Sequence, residues 1–74
     1  MSSFGQTPFG DVMEMLRKCA AGFKHKEYLH THCIMFGGKT YPSLPKKPQI
    51  DNGHVKKMAR HLQILDCAKA TLGI

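Results

Sequence analysis

The chain has 74 residues, 42% of them hydrophobic and 22% charged. A chain this short buries only about 60% of the surface it exposes when unfolded. That excludes a multi-domain enzyme with its own cofactor fold, and the apolar content excludes a disordered segment. Eleven Lys and Arg against five Asp and Glu leave a net charge of +6, an excess that suits a polyanionic partner, nucleic acid first.

Residues 1–6 read as a polar, flexible N-terminus without the basic start and apolar stretch of a signal peptide. Thr7 and Pro8 then read as N-cap and first helical residue, with Asp11 in the first turn against the positive end of the helix dipole. Phe9, Val12, Met13, Leu16, Cys19, Ala20 and Phe23 recur at spacings of three and four. They form an apolar stripe, and Gly22 stops the helix.

The middle of the chain is strand-like. Lys24 to Tyr28 reads as a first strand, and Ile34-Met35-Phe36 and Lys39-Thr40-Tyr41 flank Gly37-Gly38 as a tight hairpin. That turn sets Ile34 opposite Tyr41 and Phe36 opposite Lys39, with His32 one strand step further along the same face. Pro42, Pro45 and Pro48 are expected to end strand pairing and to make residues 42–48 an extended loop carrying Lys46 and Lys47.

Asp51-Asn52-Gly53 signals a second helix start. Val55, Met58, Ala59, Leu62 and Leu65 give it an apolar stripe, and Lys56, Lys57, Arg60 and His61 a basic remainder. Residues 66–74 are helix-compatible, as a continuation of that helix or as a short third one. The sum is one α+β domain over residues 1–74. A three-stranded antiparallel sheet is covered on one face by two helices packed side by side, the α-β-β-β-α sandwich of double-stranded-RNA-binding domains.

Cys19, Cys33 and Cys67 form no C-x-x-C unit and cannot all pair with one another, so they read as reduced thiols of a cytoplasmic protein. No run approaches the 18 or so apolar residues of a membrane span. Phe9, Val12, Met13, Leu16, Met58 and Leu62 are assigned to the core, and Met15 or Met35 to an exposed protein interface. Five histidines are many for this length. His30-x-His32 on a strand puts two imidazoles on one face, but alternation turns Cys33 away, so neither a metal nor a cofactor is expected.

The residues around His32 carry a resemblance. Gly22-Phe23 closes the first helix, and Thr31-His32 follows ten residues after Gly22. Then come Thr40-Tyr41-Pro42 on the return strand, Lys46-Lys47, and Gly53 opening a basic helix. Over roughly Val12 to Ile64 this order resembles the HicA family of toxin messenger-RNA interferases. In that family a Gly-Phe helix end precedes a Gly-Ser-His segment with a catalytic His, a strand with Val-Pro and a Gly-initiated helix. His30 stands here in place of the segment's Gly, Cys33 in place of a frequent second His, Leu44 where a His is often found, and Gln63 where a Gly usually closes the second helix.

The resemblance implies an endoribonuclease that cleaves mRNA without a metal, uses His32 as its catalytic residue and is neutralised by a HicB-type antitoxin. The chemistry suits a histidine. A ribose 2′-OH can attack its own phosphate if a base removes its proton, and an imidazole with a pKa of about 6.5 is such a base at neutral pH. His30 is the candidate for a second proton-transfer group. Lys39, Lys46, Lys47, Lys56, Lys57 and Arg60 are the candidate phosphate contacts, because only Asp51 and Asp66 oppose them after Glu27. A non-catalytic RNA-binding module on the same fold is the alternative.

Overall fold

The computed structural model describes residues 5–74. Strand β1 (Gln6–Pro8) leads into helix α1 (Phe9–Cys19). Strands β2 (Lys24–Glu27), β3 (Thr31–Phe36) and β4 (Lys39–Pro45) follow, then β5 (Gln49–Asp51), α2 (Asn52–His61) and α3 (Leu65–Leu72). The α-β-β-β-α order is as expected, with an antiparallel sheet in the order β2-β3-β4. The hairpin register is also as expected, Ile34 facing Tyr41 and Phe36 facing Lys39. Gly37 and Gly38 take the turn at φ 61° and 78°, which side chains with a Cβ rarely adopt.

Outside the sheet, β1 and β5 pair into a two-stranded ribbon with Thr7 opposite Ile50. Each ribbon strand runs directly into a helix, so Thr7 is a buried strand residue rather than an N-cap. Pro8 takes the cap position with no side-chain cap bond, and the Thr7 hydroxyl donates to Asn52 Oδ1 at 2.6 Å. Phe9 N–H donates to Pro48 O at 2.8 Å, and Asn52 N–H to Gly5 O at 3.2 Å, so the starts of α1 and α2 are tied to the same ribbon. The expected flexible start falls mainly on residues 1–4, outside the described residues; Gln6 is already in β1.

The proline-rich segment is not a loop throughout. Strand β4 continues through Pro42 to Pro45, because it lies at the sheet edge, where a residue without an N–H removes no ladder bond on the solvent side. Between the pairs Ile34–Tyr41 and His32–Leu44 the register shifts by one residue: β4 takes three steps where β3 takes two. This bulge absorbs Pro42 and keeps Tyr41 and Leu44 both on the buried face.

The core is built from Val12, Met15, Leu16 and Ala20 of the first helical segment, Ile34, Tyr41 and Leu44 of the sheet, Ile50, and Val55, Met58, Ala59, Leu62, Ile64 and Ala68. Met15 is fully buried, so it is no interface residue. It and Leu16 take the centre of the stripe, while Phe9 and Met13 are only half-buried at its flanks. Phe23 lies outside the helix, beyond the Gly22 turn (φ 87°), and packs on the core from there.

The second helix ends before Leu62 in a Schellman turn: Ile64 N–H bonds Ala59 O at 2.8 Å, Gln63 N–H bonds Arg60 O at 3.1 Å, and Gln63 adopts φ 63°. Among the described residues Gln63 is the one non-glycine with positive φ. The tail is therefore a separate third helix, and the close helix contacts are α1 with α3 and α2 with α3. Cys19 and Cys67 are joined in a disulfide between α1 and α3 with Cα atoms 5.7 Å apart, and only Cys33 is a free thiol, buried in β3. The reading of three reduced thiols is corrected here. Helix packing brings together two cysteines that no spacing motif connects.

Two stability outcomes follow. The disulfide closes 48 residues of sequence separation, for which loop-closure entropy gives about 4 kcal/mol, so the double variant C19S/C67S should unfold about 2–4 kcal/mol more easily in urea. Gln63→Gly should gain about 0.5–1 kcal/mol, since relief of the left-handed backbone outweighs the added entropy of glycine. A loss of stability in Gln63→Gly contradicts the turn.

A candidate active site of two imidazoles

Strand alternation places His32 and Ile34 on the helix-covered face of the sheet and Cys33 and Met35 on the other. In the β2–β3 register Glu27 lies opposite His32 and His25 opposite Ile34, so His25 and Glu27 share the face of His32. The β2–β3 turn closes with Tyr28 N–H donating to Thr31 O at 2.8 Å.

His32 is only 6% exposed. The Phe9 ring stacks on its imidazole with centroids 4.6 Å apart and planes 19° from parallel. A buried imidazole needs a polar partner, and His32 has one: its Nδ1 lies 2.7 Å from Nε2 of His25 in a hydrogen bond between the two rings. The His25 centroid lies 4.7 Å from that of His32 and 6.4 Å from that of Phe9, so the three rings form one cluster in which His25 is the exposed member.

One ion pair borders the cluster. Lys46 Nζ meets Glu27 Oε2 at 3.0 Å and donates to Tyr28 O at 3.1 Å, which ties the end of β4 across to β2. The Lys46 ammonium holds the Glu27 carboxyl below the usual range, with small help from the nearby imidazoles. Burial lowers the His32 pKa first. The neighbouring His25 and Lys46 lower it further, against the opposing pull of Glu27. His32 is thus held neutral, the form in which an imidazole accepts a proton.

Of the predicted site residues, Lys46 is brought to His32, but with its charge already met by Glu27. His30 lies exposed in the β2–β3 turn, and the imidazole that contacts His32 is His25 instead. Lys47 follows Lys46 into solvent. Lys39 pairs with Phe36 at the hairpin end, four residues along β3 from His32, or about 13 Å. Lys56, Lys57 and Arg60 lie on α2, which borders β4 through Tyr41 Oη–His54 Nε2 and His61 Nε2–Thr40 O contacts of 2.8 Å. They belong to a second basic surface across the sheet from β2.

Among the described residues the only ion pairs are Lys46–Glu27 and Arg17–Glu14, so Lys39, Lys47, Lys56, Lys57 and Arg60 keep uncompensated charge. No three of His, Cys, Asp and Glu converge there as a metal-binding group, and no described helix is long and apolar enough to cross a membrane.

Two site residues escaped the sequence reading. Phe9 carries the signature of a core residue, and nothing local marks it as the cover of a histidine. His25 becomes visible once the β2–β3 register is known, because only that register puts it on the face of His32.

The lowered pKa fixes a direction for pH dependence. Folding disfavours the His32 imidazolium, so the folded form binds fewer protons. Stability should fall as pH drops through the unfolded value of about 6.5 toward the folded one. Heteronuclear NMR should show His32 titrating below 6.5, and His32→Phe should flatten the acid-side loss; titration at or above 6.5 contradicts the burial. Compared with known proteins, the chain matches no family model, no curated protein and no solved structure.

Proposed function

We propose that this chain is a HicA-type toxin: an endoribonuclease that cleaves mRNA through His32 and is neutralised by a HicB-type antitoxin covering that histidine. The observation that carries the reading is the hydrogen-bonded His25–His32 pair beside Lys46. When His32 donates its Nδ1–H to His25 Nε2, the Nε2 atom of the neutral His32 is left to accept the proton of a ribose 2′-OH. The 2′-oxygen then attacks phosphorus and closes a 2′,3′-cyclic phosphate as the bond to the 5′-oxygen breaks. The nucleophile is part of the RNA, so the chemistry calls for no metal-bound water.

Three further features support the reading. The α-β-β-β-α order is the fold that the family resemblance implies. Gln63 takes a left-handed conformation at the position where the family usually carries a helix-closing Gly, so the backbone makes the same turn with a costlier residue. Lys39, Lys47, Lys56, Lys57 and Arg60 are free to meet phosphates. For the antitoxin, Leu29, 83% exposed in the turn between β2 and β3, offers an apolar anchor near the histidine.

One observation favours the alternative, a non-catalytic RNA-binding module on this fold. The Phe9 ring covers one face of His32 and narrows access to it.

Two measurements separate the readings. With EDTA present, the wild-type protein should cut RNA and arrest growth when expressed. His32→Ala should lose about 10²–10⁴-fold in rate while binding RNA as tightly. Binding without cutting by the wild type selects the alternative. In either case Lys57→Ala should make the salt dependence of single-strand binding shallower by about 0.7 in log K per log salt.

A further inference from the structure

The family resemblance assigns one catalytic histidine; this chain carries a second in contact with it. Building on the ribonuclease reading above, we propose that His25 is the proton-exchange partner of His32, passing to solvent the proton that His32 takes from the ribose hydroxyl.

The geometry supports a relay. His32 is 6% exposed and stacked under Phe9, whereas His25 is exposed on edge strand β2, and their nitrogens are 2.7 Å apart. The two rings have four nitrogens, and the bond between them uses one from each. His32 Nε2 remains on the substrate side and His25 Nδ1 on the solvent side. When Nε2 takes the 2′-OH proton, the Nδ1 proton of His32 moves to Nε2 of His25, and His25 releases its Nδ1 proton to water. The departing 5′-oxygen takes a proton from water. Once the product has left, His32 Nε2 gives its proton to water, His25 Nε2 returns one to His32 Nδ1 and His25 Nδ1 takes one from water, which restores both rings. The phosphorus exchanges its bond to the 5′-oxygen for one to the 2′-oxygen, and no electron is gained or lost.

The other groups facing the pair are Phe9 from α1, Glu27 from β2 and Lys46 from the end of β4. Phe9 holds no proton. Glu27 and Lys46 are engaged with each other, so neither replaces His25 as the outlet. Glu27 instead favours the transient positive charge on the pair.

A residue that merely holds the His32 ring makes a different forecast from one that moves its proton. Glutamine at position 25 can accept the Nδ1 hydrogen bond but cannot carry the proton onward. Single-turnover and steady-state cleavage of a labelled oligoribonucleotide, with unfolding temperatures recorded for each variant, tells them apart. His25→Gln and His25→Ala should both lose about 10-fold or more in kcat with KM unchanged. Added imidazole should restore much of the His25→Ala loss, and the pH dependence of kcat should lose one titration. Wild-type kcat in His25→Gln, or cleavage indifferent to position 25 while still requiring His32, overturns the relay and leaves the ribonuclease reading standing. RNA left uncut by the wild type overturns both.

Discussion

A buried imidazole has to find a hydrogen-bond partner, and the hydrogen bond between His32 and His25 is where this requirement shapes the molecule. His32 faces the helices because alternation from Ile34, a core residue, leaves it no other side. Phe9 covers it because the bond from Phe9 N–H to Pro48 O and the β1–β5 ribbon fix where α1 begins. The ribbon is thus a distant support of the site: two strands of three residues each decide which aromatic ring meets the histidine.

Charge divides between two surfaces. Beside His32, Lys46 and Glu27 nearly cancel, and their main effect is to join the end of β4 to β2. Among the described residues, cations without an ion pair lie on α2, at Lys47 and at the hairpin end, and also on α1 (Lys18), α3 (Lys69) and β2 itself (Lys24 and Lys26). An RNA that reaches His32 while neutralising these groups has to extend across the sheet rather than sit in one pocket.

The periodic features of the chain were readable from sequence because they depend on local rules. The α1 and α2 stripes, the Gly37-Gly38 hairpin and its register all follow from side-chain spacing and turn chemistry. What could not be read depends on contacts between distant residues. His25 meets His32 only because the β2–β3 turn sets Glu27 opposite His32; a slip of one residue would send His25 to the other face. Pro42 reads as a strand breaker until β4 is known to be an edge with a bulge. Cys19 and Cys67 reveal their pairing only when α3 packs on α1. Thr7 has the residue type of a cap, and the ribbon turns it into a strand residue bonded to Asn52.

The central claim is that a ribose hydroxyl gives its proton to His32 and becomes the nucleophile, and the ends of the RNA fragments record this directly. Mass spectrometry of an oligoribonucleotide treated with the wild-type protein should find 2′,3′-cyclic phosphates on one fragment and 5′-hydroxyls on the other. The folded His32→Ala variant should give neither. Fragments bearing 5′-phosphates, or identical fragments from the His32→Ala variant, would show that another group performs the cut.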